Sequence, residues 1–187
     1  AYGGWSYESV VETLGGIGNI AELLKQGKLK GIATVVGCNT PKAVYENNHV
    51  MIARKLIEGD ILVLTTGCSS HALLNAGLCT QEAAELCGDG LKEIINRYNI
   101  PPVMAVGGCV DNTRTLRLFM SLAEELGIAI KDMPFMFVGP EPGNEKTVGQ
   151  GLSFLMHGVS NLVGFPAPIP VPSPKPVDGA ADGIMDR

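Results

Sequence analysis

With 187 residues, 45% of them hydrophobic and 18% charged, the chain is long enough for one well-buried domain and too short for two of ordinary size. A formal net charge of -5 and the lack of a dense Lys/Arg run argue against nucleic acid or an anionic membrane surface as partner. They favour a small molecule or another protein. No stretch forms a membrane span, and the start "AYGGWSYESV" lacks the features of a signal peptide, so we predict a cytoplasmic protein.

The first third of the chain predicts helices followed by a β-loop-α unit. Residues 6–27 are typical of two short helices separated by the glycine-rich "GGIG". The β-branched run "KGIATVVG" then predicts a strand, and "NNHVMIARKLIEGD" predicts a helix. Val50, Ala53, Leu56 and Ile57 share one face of that helix.

The pattern repeats in the middle of the chain. "DILVLTTG" predicts a second strand, and a helical region follows from His71 to about Asn99. This region is interrupted near "GLCT" and "CGDG", where Thr80 could cap a new helix. "PPVMAVGG" predicts the third strand.

A third helix follows in "DNTRTLRLFMSLAEELG". Asp111 or Asn112 can cap its start, and Gly127 ends it. The residues expected to form its buried face are Leu116, Phe119, Met120 and Ala123.

The last third of the chain completes the alternation. "PFMFVGP" predicts a fourth strand, a helix runs from about Glu145 to His157, and "SNLVGF" predicts a fifth strand. Near-continuously apolar strands that alternate with helices indicate an α/β, doubly wound, Rossmann-like domain with a mostly parallel sheet. We predict this domain, with its N-terminal helices, over residues 1–165, and a Pro-rich tail over 166–187 that is extended, disordered or docked on a partner.

Three of the five cysteines stand in matched contexts. Cys38, Cys68 and Cys109 each follow a glycine where an apolar run ends. In an open parallel sheet the loops after the carboxyl ends of the strands share one edge, where ligands bind. Each of the three also lies near the N-terminus of a predicted helix, which stabilises a thiolate. We therefore predict that they line one shared site, whereas Cys79 and Cys87 pack in the ordinary way.

The residue types restrict what such a site can bind. An odd number of widely spaced cysteines makes a disulfide framework a poor interpretation. Soft thiolates beside glycines that admit a bulky ligand favour zinc, copper(I), nickel or an iron-sulfur cluster, and zinc is the weakest of these because no C-x(2-4)-C pair is present. His71 is a further candidate for the site, whereas His49 and His157 look like ordinary helical residues. Nucleotide binding is disfavoured, because no G-x-G-x-x-G follows a strand.

Four strings carry a family resemblance: "VVGCNTPK", "TTGCSSHALLNAGL", "ELCGDGLKEII" and "PPVMAVGGCVDNTR". In this order they resemble the C-terminal Rossmann-like domain of the anaerobic nickel-iron carbon monoxide dehydrogenases, from about residue 8 to 165, and more distantly the hybrid-cluster proteins. The resemblance implies that Cys38 and Cys68 bind iron of the Ni-Fe-S C-cluster and that Cys109 binds its nickel. It also implies that Lys146, in "NEKTV", is a catalytic residue that stabilises the carboxylate formed from CO, which is electrostatic catalysis.

The departures from that family define the rest of the hypothesis. Family enzymes carry a long helical N-terminal part with further cluster ligands, additional Fe4S4 clusters and a proton-shuttling histidine, and these are not found in this chain. Gly149 and Gln150 stand where small apolar residues are expected, and the Pro-rich end replaces a closing strand and helix.

The resemblance thus implies part of an enzyme that converts CO and water to CO2, two protons and two electrons. Alone it is expected to be inactive, and it would act in a homo- or hetero-oligomer with an N-terminal part or another subunit. Two alternatives stay open: a degenerate, non-catalytic module that binds a partner, and a hybrid-cluster-type reductase without nickel.

Overall fold

The computed structural model describes residues 3–141, 143 and 145–164. The α-helices over these residues are α1 (Tyr7–Thr13), α2 (Ile17–Lys25), α3 (Asn47–Glu58), α4 (Gly67–Asn75), α5 (Asp89–Tyr98), α6 (Asn112–Leu126) and α7 (Glu145–Met156). The strands are β1 (Gly31–Val35), β2 (Ile61–Thr66), β3 (Val103–Gly107), β4 (Phe135–Gly139) and β5 (Ser160–Val163). The predicted tail, residues 166–187, lies outside this part of the chain, so the predicted domain boundary stays a prediction.

The described strands form one parallel sheet in the order β3-β2-β1-β4-β5. Ile32 in β1 pairs with Leu62 on one side and with Phe135 on the other. The strand order therefore reverses between β1 and β4, which is the topological switch point of a doubly wound fold. The predicted Rossmann-like α/β class is confirmed.

Helices cover both faces of this sheet. Right-handed crossovers place α3, α4 and α5 on one face, and α6 and α7 on the other. On the second face Phe119 of α6 stacks on Phe135 of β4 with ring centroids 4.3 Å apart, and Phe154 of α7 meets Phe137 at 4.8 Å. The N-terminal helices α1 and α2 pack against α6. Every residue of β1 and β2 is buried as a result, which explains their continuous apolar runs.

Two helix predictions need correction. The region predicted as helical from His71 to about Asn99 begins earlier, at Gly67, and consists of α4, a short 3-10 helix and α5. The side chain of Thr80 does not cap the 3-10 helix but donates to the carbonyl of Gly77 at 2.9 Å. The 3-10 helix is a short connector of six residues between the turns at Gly77 and Gly88, which is a common use of this helix type.

The buried face of α6 is rotated from the predicted one. Met120 is 50% exposed and Leu116 is only partly buried, whereas Phe119 and Ala123 are buried as expected. The buried residues of this helix are Asn112, Thr115, Leu118, Phe119, Leu122 and Ala123. Two polar residues take places on this buried face: Asn112 accepts a hydrogen bond from Thr66 of β2, and Thr115 donates to the backbone carbonyl of Asn112. Gly127 ends the helix with a φ of 64°, as predicted.

No helix among the described residues has the length and hydropathy needed to cross a membrane.

Candidate metal centre

The residues predicted to form the site lie at one edge of the sheet. Cys38 follows β1, Cys68 lies in the first turn of α4 directly after β2, and Cys109 follows β3. Lys146 is exposed in the first turn of α7, after β4. The sheet order β3-β2-β1-β4 places these residues at the carboxyl ends of four adjacent parallel strands. This is the edge where open α/β sheets bind ligands.

The loop that contains Cys38 is anchored by a buried carboxylate. Glu141, which is 0% exposed, accepts hydrogen bonds from the backbone N–H of Thr40 at 2.8 Å and from the amide of Asn48 at 3.1 Å. Its own backbone carbonyl accepts from the N–H of Cys38 at 3.0 Å. A buried carboxylate is tolerated where charge-assisted hydrogen bonds satisfy it. Glu141 therefore ties the β1 and β4 loops together across the switch point.

Two glycines allow close approach of backbone to the cysteines. A β-carbon added at Gly143 would lie 2.8 Å from the β-carbon of Cys38, and one added at Gly67 would lie 3.1 Å from that of Cys109. Gly67 also has a φ of 62°, which side-chain-bearing residues rarely adopt. The contact at Gly67 brings the Cys109 loop against the residue that precedes Cys68.

The expectation that each cysteine lies near a helix N-terminus holds for two of the three. Cys68 lies within α4, and Cys109 lies shortly before α6. For Cys38 it is wrong, because α3 begins only at Asn47, after a loop that contains Pro41. A residue before proline is disfavoured in the helical region, so the chain cannot turn directly into a helix here.

The environment of Cys68 is open. The side chain of Cys68 is exposed. Tyr45 lies near both Glu46 and Cys68, and the negative charge of Glu46, with a smaller contribution from Cys68, raises the pKa of this tyrosine. His71, the further candidate, is 65% exposed, with its Nε2 3.9 Å from a carboxylate oxygen of Glu46. The same Nε2 lies 3.0 Å from the amide nitrogen of Asn75, so His71 is hydrogen-bonded within α4, beside this part of the edge.

The string "GCVDNTR" forms a clamp after β3. Asp111 does not cap α6 as predicted but accepts a hydrogen bond from the N–H of Gly108 at 2.7 Å. Arg114 forms an ion pair with Asp111 at 3.1 Å and donates to the carbonyl of Val106 at 2.6 Å. These contacts close the turn in which Cys109 lies. They depend on the three-residue spacing of Gly108, Asp111 and Arg114.

A second network holds the carbonyl of Cys109. Thr66 donates to Asn112 at 2.7 Å, and Asn112 donates to Gln150 at 2.7 Å. The amide of Gln150 in turn donates to the carbonyl of Cys109. Gln150, which the sequence marked only as a departure from the family pattern, thus links α7 to the Cys109 loop.

His49 is the functional candidate that sequence reasoning missed. It is 0% exposed, its Nε2 lies 3.0 Å from the carbonyl oxygen of Cys38, and its Nδ1 lies 2.5 Å from Oγ of Ser69. Burial lowers the pKa of His49. The sequence feature that indicates burial of His49 is its spacing, because it shares one helical face with Ala53 and Ile57.

The other two cysteines belong to the interior. Cys79 is 0% exposed within the hydrophobic core, and Cys87 is half-buried against it. Burial raises the pKa of each thiol to about 12. Both observations agree with the prediction that these two cysteines pack in the ordinary way.

The edge cysteines do not form a closed ligand set by themselves. Over the described residues, no three side chains of His, Cys, Asp or Glu converge closely enough to hold a metal ion. The fold thus brings the three cysteines to one edge of the sheet without completing a ligand set among the described residues.

Comparison with known proteins decides the family. The family model described as "Prismane/CO dehydrogenase family" matches residues 6–180. The chain belongs to this family. The resemblance found in the cysteine motifs is thereby confirmed.

Two carbon monoxide dehydrogenases are similar to this chain along most of its length. Carbon monoxide dehydrogenase 1 of Methanosarcina acetivorans is 40% identical over 167 residues, which cover 89% of this chain and 27% of that protein. The carbon monoxide dehydrogenase of Archaeoglobus fulgidus is 34% identical over 183 residues, which cover 97% of this chain and 28% of that protein.

Solved structures agree. A nickel-free carbon monoxide dehydrogenase from Thermococcus sp. AM4 superimposes with a TM-score of 0.85 at 41% identity, covering 88% of this chain and 26% of that one. This chain therefore spans about 27% of the length of the relatives it matches.

Proposed function

We propose that this chain is the C-terminal, cluster-binding part of a nickel-iron-sulfur carbon monoxide dehydrogenase. The observation that carries the proposal is that three cysteines follow three adjacent parallel strands in a chain of this family. The chain matches only 27% of the length of its relative from Methanosarcina acetivorans, which supports part of an enzyme rather than a whole one. The remaining ligands and any additional Fe4S4 clusters would come from another part of the protein or from another subunit.

The residues present fit such a cluster as part of its ligand set. Cys38, Cys68 and Cys109 offer soft sulfur donors, which nickel and iron-sulfur clusters prefer. Gly67 and Gly143 leave out the β-carbons that would crowd the loops of Cys109 and Cys38. When bound, the cluster supplies the redox chemistry that interconverts CO and water with CO2, two protons and two electrons.

Lys146 is the residue to which we assign a charge-stabilising role. It lies in the first turn of α7, at the same edge as the three cysteines. An ammonium group at this edge would stabilise the negative charge that develops on the oxygens of the substrate. Replacing Lys146 with methionine keeps much of the side-chain length and removes that charge.

Anaerobic metal analysis tests the ligand assignment. The purified chain is incubated with Fe²⁺, sulfide and Ni²⁺, alone and together with the separately produced remainder of a related carbon monoxide dehydrogenase. We expect bound iron, sulfide and nickel in the combined sample, and lower contents for Cys38→Ala, Cys68→Ala and Cys109→Ala. Cys87→Ala is the matched control, because this half-buried cysteine packs against the core before α5 and does not follow a strand.

Activity of the combined sample tests the reaction. We expect CO-dependent reduction of a viologen dye, and we expect Lys146→Met to lower its rate at least tenfold while the metal content stays unchanged. Assembled and metal-loaded material that does not oxidise CO would contradict the proposed function. Iron and sulfide without nickel would instead favour hybrid-cluster chemistry.

A non-catalytic, partner-binding module is the second candidate. The specific observation in its favour is that no three metal-binding side chains converge among the described residues. It predicts no metal in any sample, and partner binding that the three cysteine substitutions leave unchanged.

A further inference from the structure

The environment of His49 indicates a role beyond packing. This histidine lies in α3 and is 0% exposed, so each of its ring nitrogens needs a partner within the protein. Both have one: Nε2 lies 3.0 Å from the carbonyl oxygen of Cys38, and Nδ1 lies 2.5 Å from Oγ of Ser69.

The chemistry of the partners fixes the direction of both hydrogen bonds. A carbonyl oxygen can only accept, so Nε2 carries the proton and donates to Cys38. In the neutral ring Nδ1 is then an acceptor, and the hydroxyl of Ser69 donates to it. A continuous chain of two hydrogen bonds therefore runs from Ser69 through His49 to the peptide of Cys38.

A serine hydrogen-bonded to a histidine is also the arrangement of a catalytic nucleophile and its base, but this pair does not act in that way. Ser69 is 0% exposed, so no substrate reaches its hydroxyl. The second ring nitrogen faces a backbone carbonyl instead of the carboxylate that would orient a catalytic histidine. The pair therefore serves to hold structure in place.

The position of this link makes it relevant to the cysteines. Ser69 directly follows Cys68, so the link joins the first turn of α4 to the Cys38 loop. The peptide N–H of Cys38 is held from the other side by the carbonyl of Glu141 at 3.0 Å. Cys38 is thus fixed on one side from the β4 loop and on the other from the helix that carries Cys68.

We propose that His49 is a positioning residue that sets the orientation of Cys38 relative to Cys68. The significance of this role rests on the proposed function, because a cluster needs ligands that approach it from fixed directions. The hydrogen bonds themselves exist without any metal, so the role can be tested on the metal-free chain.

The test measures how fast each cysteine of the metal-free chain reacts with iodoacetamide, by peptide mass spectrometry. Amide side chains separate the two links, because the Gln nitrogen can occupy the place of Nε2 and the Asn amide the place of Nδ1. We expect His49→Asn to speed labelling of Cys38 about tenfold, because it loses the bond to the Cys38 carbonyl. We expect His49→Gln, which keeps the bond to the Cys38 carbonyl and loses the one to Ser69, to speed it only severalfold.

Cys109 and His157 provide the controls. Cys109 lies in a separate loop of the same molecule, so its rate should not change, whereas general loosening of the fold would speed Cys38 and Cys109 together. His157→Gln removes an exposed histidine whose Nδ1 lies 2.8 Å from the carbonyl of Ser153, and it should leave every rate unchanged.

If His49→Asn does not fold, Ser69→Ala provides a second test of the same link. Ser69→Ala removes only the hydroxyl, and we expect it to speed labelling of Cys38 severalfold. An unchanged Cys38 rate in Ser69→Ala and His49→Asn, or an equal rise at Cys109, would overturn the proposal. Failure of metal binding in the wild-type chain would affect the proposed function alone, because these rates are measured without metal.

Discussion

The cysteines at the sheet edge and those in the interior show what position does to one side chain. Cys38 and Cys109 lie in loops just beyond strand ends, with their carbonyls held by hydrogen bonds, and Cys68 lies in the first turn of α4 beside Gly67. Cys79 and Cys87 lie against the hydrophobic core, and burial raises the pKa of both to about 12. At the edge, polar side chains hydrogen-bond to the backbone of Cys38 and Cys109, whereas in the interior the cysteines only make packing contacts. In this fold, therefore, the position of a cysteine after the carboxyl end of a strand makes it a candidate ligand.

The largest expected difference between the two groups is in thiol reactivity. A pKa of about 12 instead of 9.0 lowers the thiolate fraction of Cys79 about a thousandfold near neutral pH. We expect iodoacetamide at pH 8 to modify exposed Cys68 completely while Cys79 stays unmodified, as measured by peptide mass spectrometry. In urea both should react at similar rates. Modification of Cys79 within tenfold of the rate at Cys68 in the folded chain would break the comparison.

Stability should depend on the interior and hardly on the edge. Phe119 is 0% exposed and packs against two other aromatic rings, so Phe119→Ala is expected to lower the free energy of unfolding by about 3–5 kcal/mol. Cys68→Ala, at the exposed edge, should change it by less than about 0.5 kcal/mol. Urea unfolding followed by circular dichroism measures both. A large loss for Cys68→Ala would show that the edge also carries the fold.

The same division explains which features the sequence could predict. Alternating apolar runs and glycines sufficed for the five strands and for the shared edge, because these depend on local pattern and on the rules of parallel sheets. The roles of Glu141 and Gln150 could not be predicted, because their partners are backbone groups of distant loops that only the folded chain brings near. His49 was accessible in principle through its helical spacing, but its two partners were not.

Alkaline pH should destabilise the fold through the interior thiols. The unfolded chain releases the proton of Cys79 near pH 9.0, whereas the folded chain keeps it up to a pKa of about 12. The unfolded state therefore binds fewer protons between these values, and stability falls as pH rises above 9. We expect Cys79→Ala to remove a loss of about 2 kcal/mol between pH 8 and 10.5, at a slope that approaches about 1.4 kcal/mol per pH unit above pH 10, measured by urea unfolding. Equal slopes in the two proteins would mean that the thiol ionises as easily in the folded chain.

The smallest expected effect lies in the clamp of the Cys109 loop. Asp111→Ala removes the acceptor for the N–H of Gly108 and the partner of Arg114, both at a partly exposed site. Because water can replace these partners, we expect a loss of only about 1 kcal/mol in the free energy of unfolding. Asp111→Asn keeps an acceptor for Gly108 and should lose less, and Glu124→Ala, an exposed change on the same helix, should have no measurable effect. The clamp should matter more for Cys109 than for the fold, so Asp111→Ala should speed labelling of Cys109 severalfold and leave Cys38 unchanged. A loss of several kcal/mol, with equal changes at both cysteines, would make the clamp a part of the core and remove the distinction between edge and interior.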